Sequence, residues 1–237
     1  MPEVNGIGRL FSAAEFQEDG KHHILLAASG SVATIKLPLI AKALAQHQNV
    51  SVRIVLTKSA EAFLQGQSKE QPILESLRTV ENIDGIYYDQ DEWSKPWVRG
   101  DKILHIELRR WAHAMLVAPL SANSMAKMVN GISDGLLLSA IRAWDTTGLV
   151  DGREKIIFVA PAMNTAMWRH PITKKQVKVL EQDWGVATGG WVKVLRPMEK
   201  ELACGDVGDG AMLDWRRLVN HIEAHFKLPA TDYDLPG

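Results

Sequence analysis

The feature that most constrains this chain is a local pattern that occurs four times: a short apolar run, interrupted in one case by Arg53, a cluster of small or polar residues, and then helical spacing. Ile24-Leu25-Leu26-Ala27-Ala28 leads into Ser29-Gly30-Ser31, after which apolar residues recur through Ile35, Leu39 and Ala43. Residues 52–56 lead into Thr57-Lys58-Ser59, residues 114–118 into Pro119-Leu120-Ser121-Ala122-Asn123, and residues 156–160 into Pro161-Ala162-Met163-Asn164. Apolar runs without alternation belong to strands covered on both faces, as in a parallel sheet between helical layers. The helical stretches supply the crossovers. The expectation is a single α/β domain with a doubly wound parallel sheet and helices on both faces. In such sheets ligands sit beyond the carboxyl ends of the strands, which is where the polar clusters fall.

Weaker strand signals stand at Val186-Ala187-Thr188 and Ile86-Tyr87-Tyr88, the latter inside a loop-rich insertion over residues 66–103. Pro38 within the first helical pattern predicts a kink or a late helix start. The last helix is expected over about residues 214–227. Residues 1–20 read as a loosely held arm, 21–228 as the domain, and 229–237 as a frayed tail. Residues 189–212, with five glycines, read as a mobile excursion.

Charge narrows the class of partner. With 27 basic and 28 acidic residues the net charge is -1, which argues against nonspecific attraction to nucleic acid or anionic membranes. No apolar run approaches the roughly 20 residues that span a bilayer. Residues 1–20 hold Glu3, Glu15, Glu18 and Asp19 and no sustained apolar stretch, so no targeting peptide is visible. A single cysteine, Cys204, rules out an intrachain disulfide and fits a reducing compartment. A cytoplasmic protein is expected.

Six groups of residues could carry chemistry. Ser29-Gly30-Ser31-Val32 joins a strand to a helix start, where small residues let backbone approach an anion and N–H groups face it. It reads equally as an ordinary turn with a serine cap. Ser121-Ala122-Asn123-Ser124 and Thr57-Lys58-Ser59 are similar ends, and together with the first they could wrap one phosphorylated ligand if their strands are neighbours. His105-Ile106-Glu107 offers a base beside a carboxylate, or a polar strand end with surface ion pairs. Asn164 could donate to a carboxylate against a wall of Met163, Met167 and Trp168, or simply cap a helix. Cys204, in a glycine-rich stretch, could be a proton donor, a nucleophile or inert. No metal is expected: Asp206 and Asp209 lack calcium-loop spacing, and His221-Ile222-Glu223-Ala224-His225 is not a zinc motif.

In combination these blocks carry a resemblance. Ala-Ala-Ser-Gly-Ser-Val-Ala at 27–33, His-Ile-Glu-Leu-Arg-Arg-Trp-Ala at 105–112, Ala-Pro-Leu-Ser-Ala-Asn-Ser at 118–124 and Ile-Arg-Ala-Trp-Asp at 141–145 occur in order. Pro-Ala-Met-Asn-Thr-Ala-Met-Trp at 161–168 and Ala-Cys-Gly-Asp-Val-Gly-Asp-Gly-Ala-Met at 203–212 follow. The chain resembles the phosphopantothenoylcysteine decarboxylases, within the homo-oligomeric flavin-containing cysteine decarboxylase family. The resemblance implies a flavodoxin-like (Rossmann-like) fold and a trimer with FMN between subunits. It implies phosphate-side contacts at Gly30, Ser31 and Val32, with Thr57 and Ser59 nearby, and flavin contacts at Ser121, Ala122, Asn123, Ser124 and Ala162. His105 matches the catalytic histidine of the oxidative half-reaction. Asn164 matches the grip on the substrate carboxylate, helped by Met167 and Ala203, and Cys204 matches the acid of the reductive half on a clamping flap over 189–212.

The implied reaction turns 4'-phosphopantothenoylcysteine into 4'-phosphopantetheine. The cysteine side chain is oxidised to a thioaldehyde, carbon dioxide leaves, and the enethiol is reduced again. Two departures from the family pattern are visible: residues 145–155 lengthen a connection, and Glu201 stands where a basic residue is expected. Relatives that inhibit a protein phosphatase, peptidyl-cysteine decarboxylases and flavin prenyltransferases are the rival readings, and a mixed trimer with paralogues is the rival assembly. The presence of His105, Asn164 and Cys204 together, without a long acidic tail, favours the enzyme.

Overall fold

The computed structural model describes residues 12–69, 71–201 and 207–231. Six parallel strands form the central sheet: β1 (His22–Ala28), β2 (Val50–Leu56), β3 (Ile83–Tyr88), β4 (Ala114–Leu120), β5 (Ile156–Pro161) and β6 (Val192–Val194). Their spatial order is β3-β2-β1-β4-β5-β6. β1 holds the centre, with Ile24 opposite Val52 on one side and Ala114 on the other. The chain builds outward from β1 in one direction, returns, and builds outward in the other. The winding therefore reverses between β1 and β4, opening a crevice at their carboxyl ends.

In chain order the helices are α1 (Leu37–Ala45), α2 (Lys58–Glu61), α3 (Leu104–Trp111), α4 (Ala122–Val129), α5 (Leu136–Arg142), α6 (Thr165–Arg169), α7 (Pro171–Lys178) and α8 (Trp215–Phe226). Successive strand side chains point to opposite faces, so a strand with no polar position buries both. Ile24, Leu26 and Ala28 pack with Ile40 and Leu44 of α1 and Leu218, Val219 and Ile222 of α8. Leu25 and Ala27 pack on the other face with Leu104, Leu108 and Trp111 of α3 and Leu137 and Ile141 of α5. Each fully buried aliphatic side chain of this set contributes about 1.5–3 kcal/mol. Among the described residues no helix is long and apolar enough to cross a membrane.

The helix after β1 starts late, as Pro38 predicts. A 3-10 turn over Val32–Lys36 precedes α1, and Pro38 falls in the first turn, where its missing N–H costs nothing. Asp214 caps α8 by accepting from the Arg216 N–H at 3.0 Å. Within the segment expected as an arm, Ala13–Phe16 form a 3-10 turn docked on α3, where the Ala13 N–H donates to the buried Glu107 Oε2 at 2.8 Å.

Two expectations need correction. Residues 186–188 are a 3-10 turn, and the edge strand comes later, at Val192–Val194, where it pairs with Ile157, Phe158 and Val159. The glycines explain the delay. A Cβ at Gly185 would lie 1.9 Å from the Glu181 carbonyl oxygen and one at Gly190 2.2 Å from that of Trp184, so the chain winds tightly here before it extends. The remainder of 189–212 contains an antiparallel ribbon, β7 (Met198–Glu201) with β8 (Val207–Ala211). The second correction concerns His105-Ile106-Glu107, which lies in helix α3 and not at a strand end. Its apolar residues Leu104, Leu108 and Trp111 keep i, i+4, i+7 spacing, and all three are buried.

Candidate active site

The carboxyl ends of β1, β2 and β4 converge on the crevice. At the end of β1, the Ser29 N–H donates to the Pro119 carbonyl at 3.0 Å. Its hydroxyl accepts from the Ser121 N–H at 2.8 Å and lies 3.2 Å from the Ser121 Oγ. Ser121 caps α4 by accepting from the Ser124 N–H at 3.2 Å, and both side chains are buried. On the β2 side the Thr57 Oγ1 accepts from the Ala60 N–H, 3.3 Å away, and lies 3.1 Å from the Ser59 Oγ. A Cβ at Gly30 would stand 2.5 Å from the Ser59 Oγ and 2.6 Å from its Cβ. The β1 turn and the α2 start are thus in contact, and only glycine fits between them. Ser31 makes no side-chain cap bond, so its hydroxyl is not committed to the helix it precedes. Val32 beside it is 48% exposed, an apolar residue at the lip of a polar crevice.

β5 continues the same edge. The Ala162 N–H donates to the Leu120 carbonyl at 3.1 Å, which brings Ala162 beside the start of α4. Two residues on, Asn164 caps α6: its Oδ1 accepts from the Ala166 N–H at 2.8 Å. The capping reading is therefore right, and it fixes the amide at the mouth of the crevice. The β7–β8 ribbon docks beside this point. The Met163 N–H donates to the Gly210 carbonyl at 3.0 Å, and Arg169 pairs with Asp209 at 3.2 Å. A Cβ on Gly208 would come 1.6 Å from the Thr165 Oγ1, so the ribbon can lie this close only with glycine there. Met167 of α6 is 49% exposed. Ala203 and Cys204 lie outside the described residues, between the two strands of the ribbon.

His105 is in the first turn of α3, at the same edge of the sheet. The carboxylate that holds it is not the expected neighbour Glu107, which faces inward to Ala13 and pairs with Arg110 at 3.3 Å. It is Glu92, whose Oε1 lies 2.7 Å from the His105 Nδ1 and whose Oε2 accepts the His105 backbone N–H at 3.0 Å. Glu92 closes the run Asp89-Gln90-Asp91-Glu92 directly after β3. In this run Asp89 accepts the Leu136 N–H at 2.8 Å, and Asp91 accepts the Tyr88 N–H at 2.7 Å. In the sequence this run falls inside the loop-rich insertion over residues 66–103. A usable signal was present, since it is one more polar cluster at the end of a strand.

The lengthened connection after α5 is anchored to α3. Asp145 accepts N–H groups from Thr147, Gly148, Val150 and Asp151 at 2.7–3.2 Å. Burial works against its charge, but these donors outweigh it and hold the Asp145 pKa down at about 2. Asp151 is thereby set between Arg109, one turn beyond His105, and Lys155, whose Nζ is 2.5 Å from it. Burial lowers the Lys155 pKa to about 8 despite that partner. A cavity of about 320 Å³ opens beside α2, walled by Leu64, Ile73, Leu74 and Tyr88, and none of the expected site residues lines it.

Fold and crevice define a doubly wound α/β protein whose switch point is lined by hydroxyls and helix starts. A family model described as Flavoprotein matches residues 12–227. The chain is 39% identical over 212 residues to the phosphopantothenoylcysteine decarboxylase of Mus musculus, covering 90% of this chain and 91% of that protein. Other relatives are longer. Coenzyme A biosynthesis protein 3 of Saccharomyces cerevisiae is 39% identical over 213 residues, 86% of this chain and 33% of that protein. A Schizosaccharomyces pombe protein named probable thymidylate synthase is 44% identical over 211 residues, 89% of this chain and 30% of that protein. The chain thus spans about a third of the length of these two relatives. Among solved structures, a cysteine-to-serine PPC decarboxylase mutant complexed with pantothenoylaminoethenethiol aligns at TM-score 0.71 and 37% identity, covering 87% of this chain and 99% of that one. "The FMN binding protein AtHal3" aligns at TM-score 0.68 and 39% identity, covering 89% and 100%. The chain belongs to the flavoprotein family, and phosphopantothenoylcysteine decarboxylases are among its relatives there.

Proposed function

We propose that the chain is an FMN-dependent carboxy-lyase that converts 4'-phosphopantothenoylcysteine to 4'-phosphopantetheine in coenzyme A synthesis. The names of the mouse and yeast relatives support this substrate and pathway. The structural observation that carries the reading is the contact of three polar strand ends at one switch point, Gly30 against Ser59 and Ser29 against Ser121. A phosphorylated mononucleotide fits that cradle. Gly30, Ser31 and Val32 would hold the phosphate side with Thr57 and Ser59, while Ser121, Ala122, Asn123, Ser124 and Ala162 would flank the ring. Bound there, FMN supplies a reversible two-electron sink, which a plain carboxylate lacks when it must leave as carbon dioxide.

This chain's residues position and move protons around that sink. His105 accepts a proton as the substrate's cysteine moiety is oxidised. Asn164, fixed by its own helix cap, donates to the substrate carboxylate beside Met167 and Ala203. A neutral amide suits this task, because a fixed positive charge would hold back a group that departs as a neutral gas. The β7–β8 ribbon docks on Met163 beside Asn164, which itself stays exposed, and would flank the substrate there, narrowing the access of water to the reacting thiol. Cys204 gives the last proton to the product. That a related cysteine-to-serine mutant is complexed with pantothenoylaminoethenethiol supports a late role for it. A trimer, homomeric or mixed with paralogues, completes the site. Exposure of Val32 and Met167 at the lip of the crevice supports a covering subunit. A cytoplasmic, reducing setting keeps Cys204 as a thiol.

The test is incubation of the FMN-loaded protein with 4'-phosphopantothenoylcysteine, followed by mass spectrometry. Loss of one carbon dioxide is expected from the wild type, and almost none from His105→Asn with FMN retained. Intact substrate with the wild type would sink the reading, and near-normal turnover by His105→Asn would remove that residue from the mechanism.

A further inference from the structure

Glu92 is nearly out of water, with a side chain 4% exposed, and both of its carboxylate oxygens are spent on one residue. Oε2 takes the His105 backbone N–H at 3.0 Å and Oε1 meets the His105 ring Nδ1 at 2.7 Å. The His105 side chain is 21% exposed, so the ring is gripped at one nitrogen and reachable elsewhere. The grip does not depend on a floppy loop. Glu92 follows Asp89, which ties the run to α5 and, at 3.4 Å, to the Lys58 N–H of α2, and Asp91, which ties it back to Tyr88.

Resting on the proposed role of His105 as proton acceptor, we infer that Glu92 is its positioning residue. It locks the imidazole with the proton on Nδ1, so that Nε2 presents its lone pair to the substrate. A carboxylate is acceptor-only, and a ring nitrogen 2.7 Å from it must therefore be the one that carries hydrogen. Because the second oxygen clamps the backbone N–H of the same residue, the carboxylate fixes both where the ring is and which nitrogen is basic. Outer partners of this kind set tautomer and orientation for functional histidines generally.

Two acceptor oxygens on one residue make a sharp test possible. Glutamine at position 92 has the same shape but one acceptor and one NH2 donor. The backbone N–H of His105 cannot change its role, so it takes the glutamine oxygen. The NH2 then faces Nδ1, which must become an acceptor, and the ring proton moves to Nε2. Glu92→Gln is thus expected to invert the His105 tautomer, read from ring nitrogen shifts in histidine-15N-labelled protein. FMN stoichiometry is expected to be unchanged, KM to stay within about threefold, and kcat to fall by about 100-fold or more. Glu92→Asp, which keeps two acceptors, is expected to keep the Nδ1–H form and recover part of kcat.

An Nε2–H tautomer in the wild type would overturn the inference without any variant, and so would an unchanged tautomer or a kcat within a few-fold in Glu92→Gln. If the wild type does not decarboxylate its substrate, the proposed function fails, while the tautomer inversion still decides the role of Glu92. If Glu92→Gln does not fold, the tautomers of the wild type and Glu92→Asp decide it.

Discussion

Gly210→Ala is expected to lift the β7–β8 ribbon off the start of α6 while leaving the mononucleotide crevice whole. A Cβ at position 210 would stand 2.2 Å from the Met163 carbonyl oxygen and 3.3 Å from the Asn164 carbonyl carbon. A carbon–oxygen contact settles at about 3.3–3.6 Å, so the ribbon must recede by about 1 Å. Both neighbours are backbone, and no rotamer change can absorb the collision. Overpacking of this kind costs about 1–3 kcal/mol. The 3.0 Å bond from the Met163 N–H to the Gly210 carbonyl goes with it, for about 0.5–1.5 kcal/mol more. A combined cost of about 1.5–4.5 kcal/mol lowers the docking equilibrium about 12- to 1,600-fold, at about 1.4 kcal/mol per factor of ten. Hydrogen exchange of the Met163 amide reads this directly and is expected to quicken by at least that lower factor. FMN stoichiometry is expected to hold, because among the described residues the ends of β1, β2 and β4 bond to one another and not to the ribbon. kcat/KM for 4'-phosphopantothenoylcysteine is expected to drop at least about tenfold, since the ribbon no longer docks beside Asn164. Wild-type exchange at Met163 together with wild-type kcat/KM in a folded variant would refute the idea that the docked ribbon matters.

Three further outcomes are expected. Gly30→Ala forces a Cβ to within 2.6 Å of both Ser59 side-chain atoms, and equilibrium dialysis is expected to show FMN affinity reduced about 10- to 100-fold. Pairing it with Ser59→Gly should relieve the collision and recover only part of the loss, since the Ser59 hydroxyl is gone, and unchanged affinity in the single variant would place FMN elsewhere. Asp145→Ala strips four backbone N–H groups of their acceptor and is expected to lower stability by about 1–3 kcal/mol in urea unfolding at neutral pH. The Asp145 carboxyl is held at about 2, below its ordinary 3.8, so its contribution is present above about pH 4 and is lost as pH falls toward 2; the gap between variant and wild type should close over that window. Burial first, then the charges of Arg153, His23 and His22, push the His113 pKa from 6.5 down to about 3. The unfolded chain therefore binds the extra proton between those values, and stability must fall as pH drops from 6.5 toward 3. His113→Gln should flatten that slope, and an unchanged slope would assign it to other groups.

The sheet was legible because the apolar runs of β1, β4 and β5 carry no polar alternation: residues such as Leu25 and Leu26 had to be buried on opposite faces, and they are. The crevice was legible from strand ends alone, and the neighbouring of β1, β2 and β4 confirms the condition placed on them. What escaped was information that lives in contacts and not in runs. β6 is three residues long and follows a glycine winding whose tightness shows only as Cβ clashes. The His105 segment is dense in charge, which hid a buried stripe of Leu104, Leu108 and Trp111. Glu92 stands thirteen residues from His105 in an acidic run that looks like a solvated face, and nothing in its spacing distinguishes it from the nearer Glu107.

The central claim is that this protein takes two electrons from its substrate and returns them within one turnover. Anaerobic incubation of the FMN-loaded wild type with excess 4'-phosphopantothenoylcysteine, and no added electron acceptor, measures that most directly. The account requires many equivalents of carbon dioxide per chain, each matched by one saturated thiol product. Evolution that stops at about one equivalent per chain, or that yields only an unsaturated thiol, would contradict it.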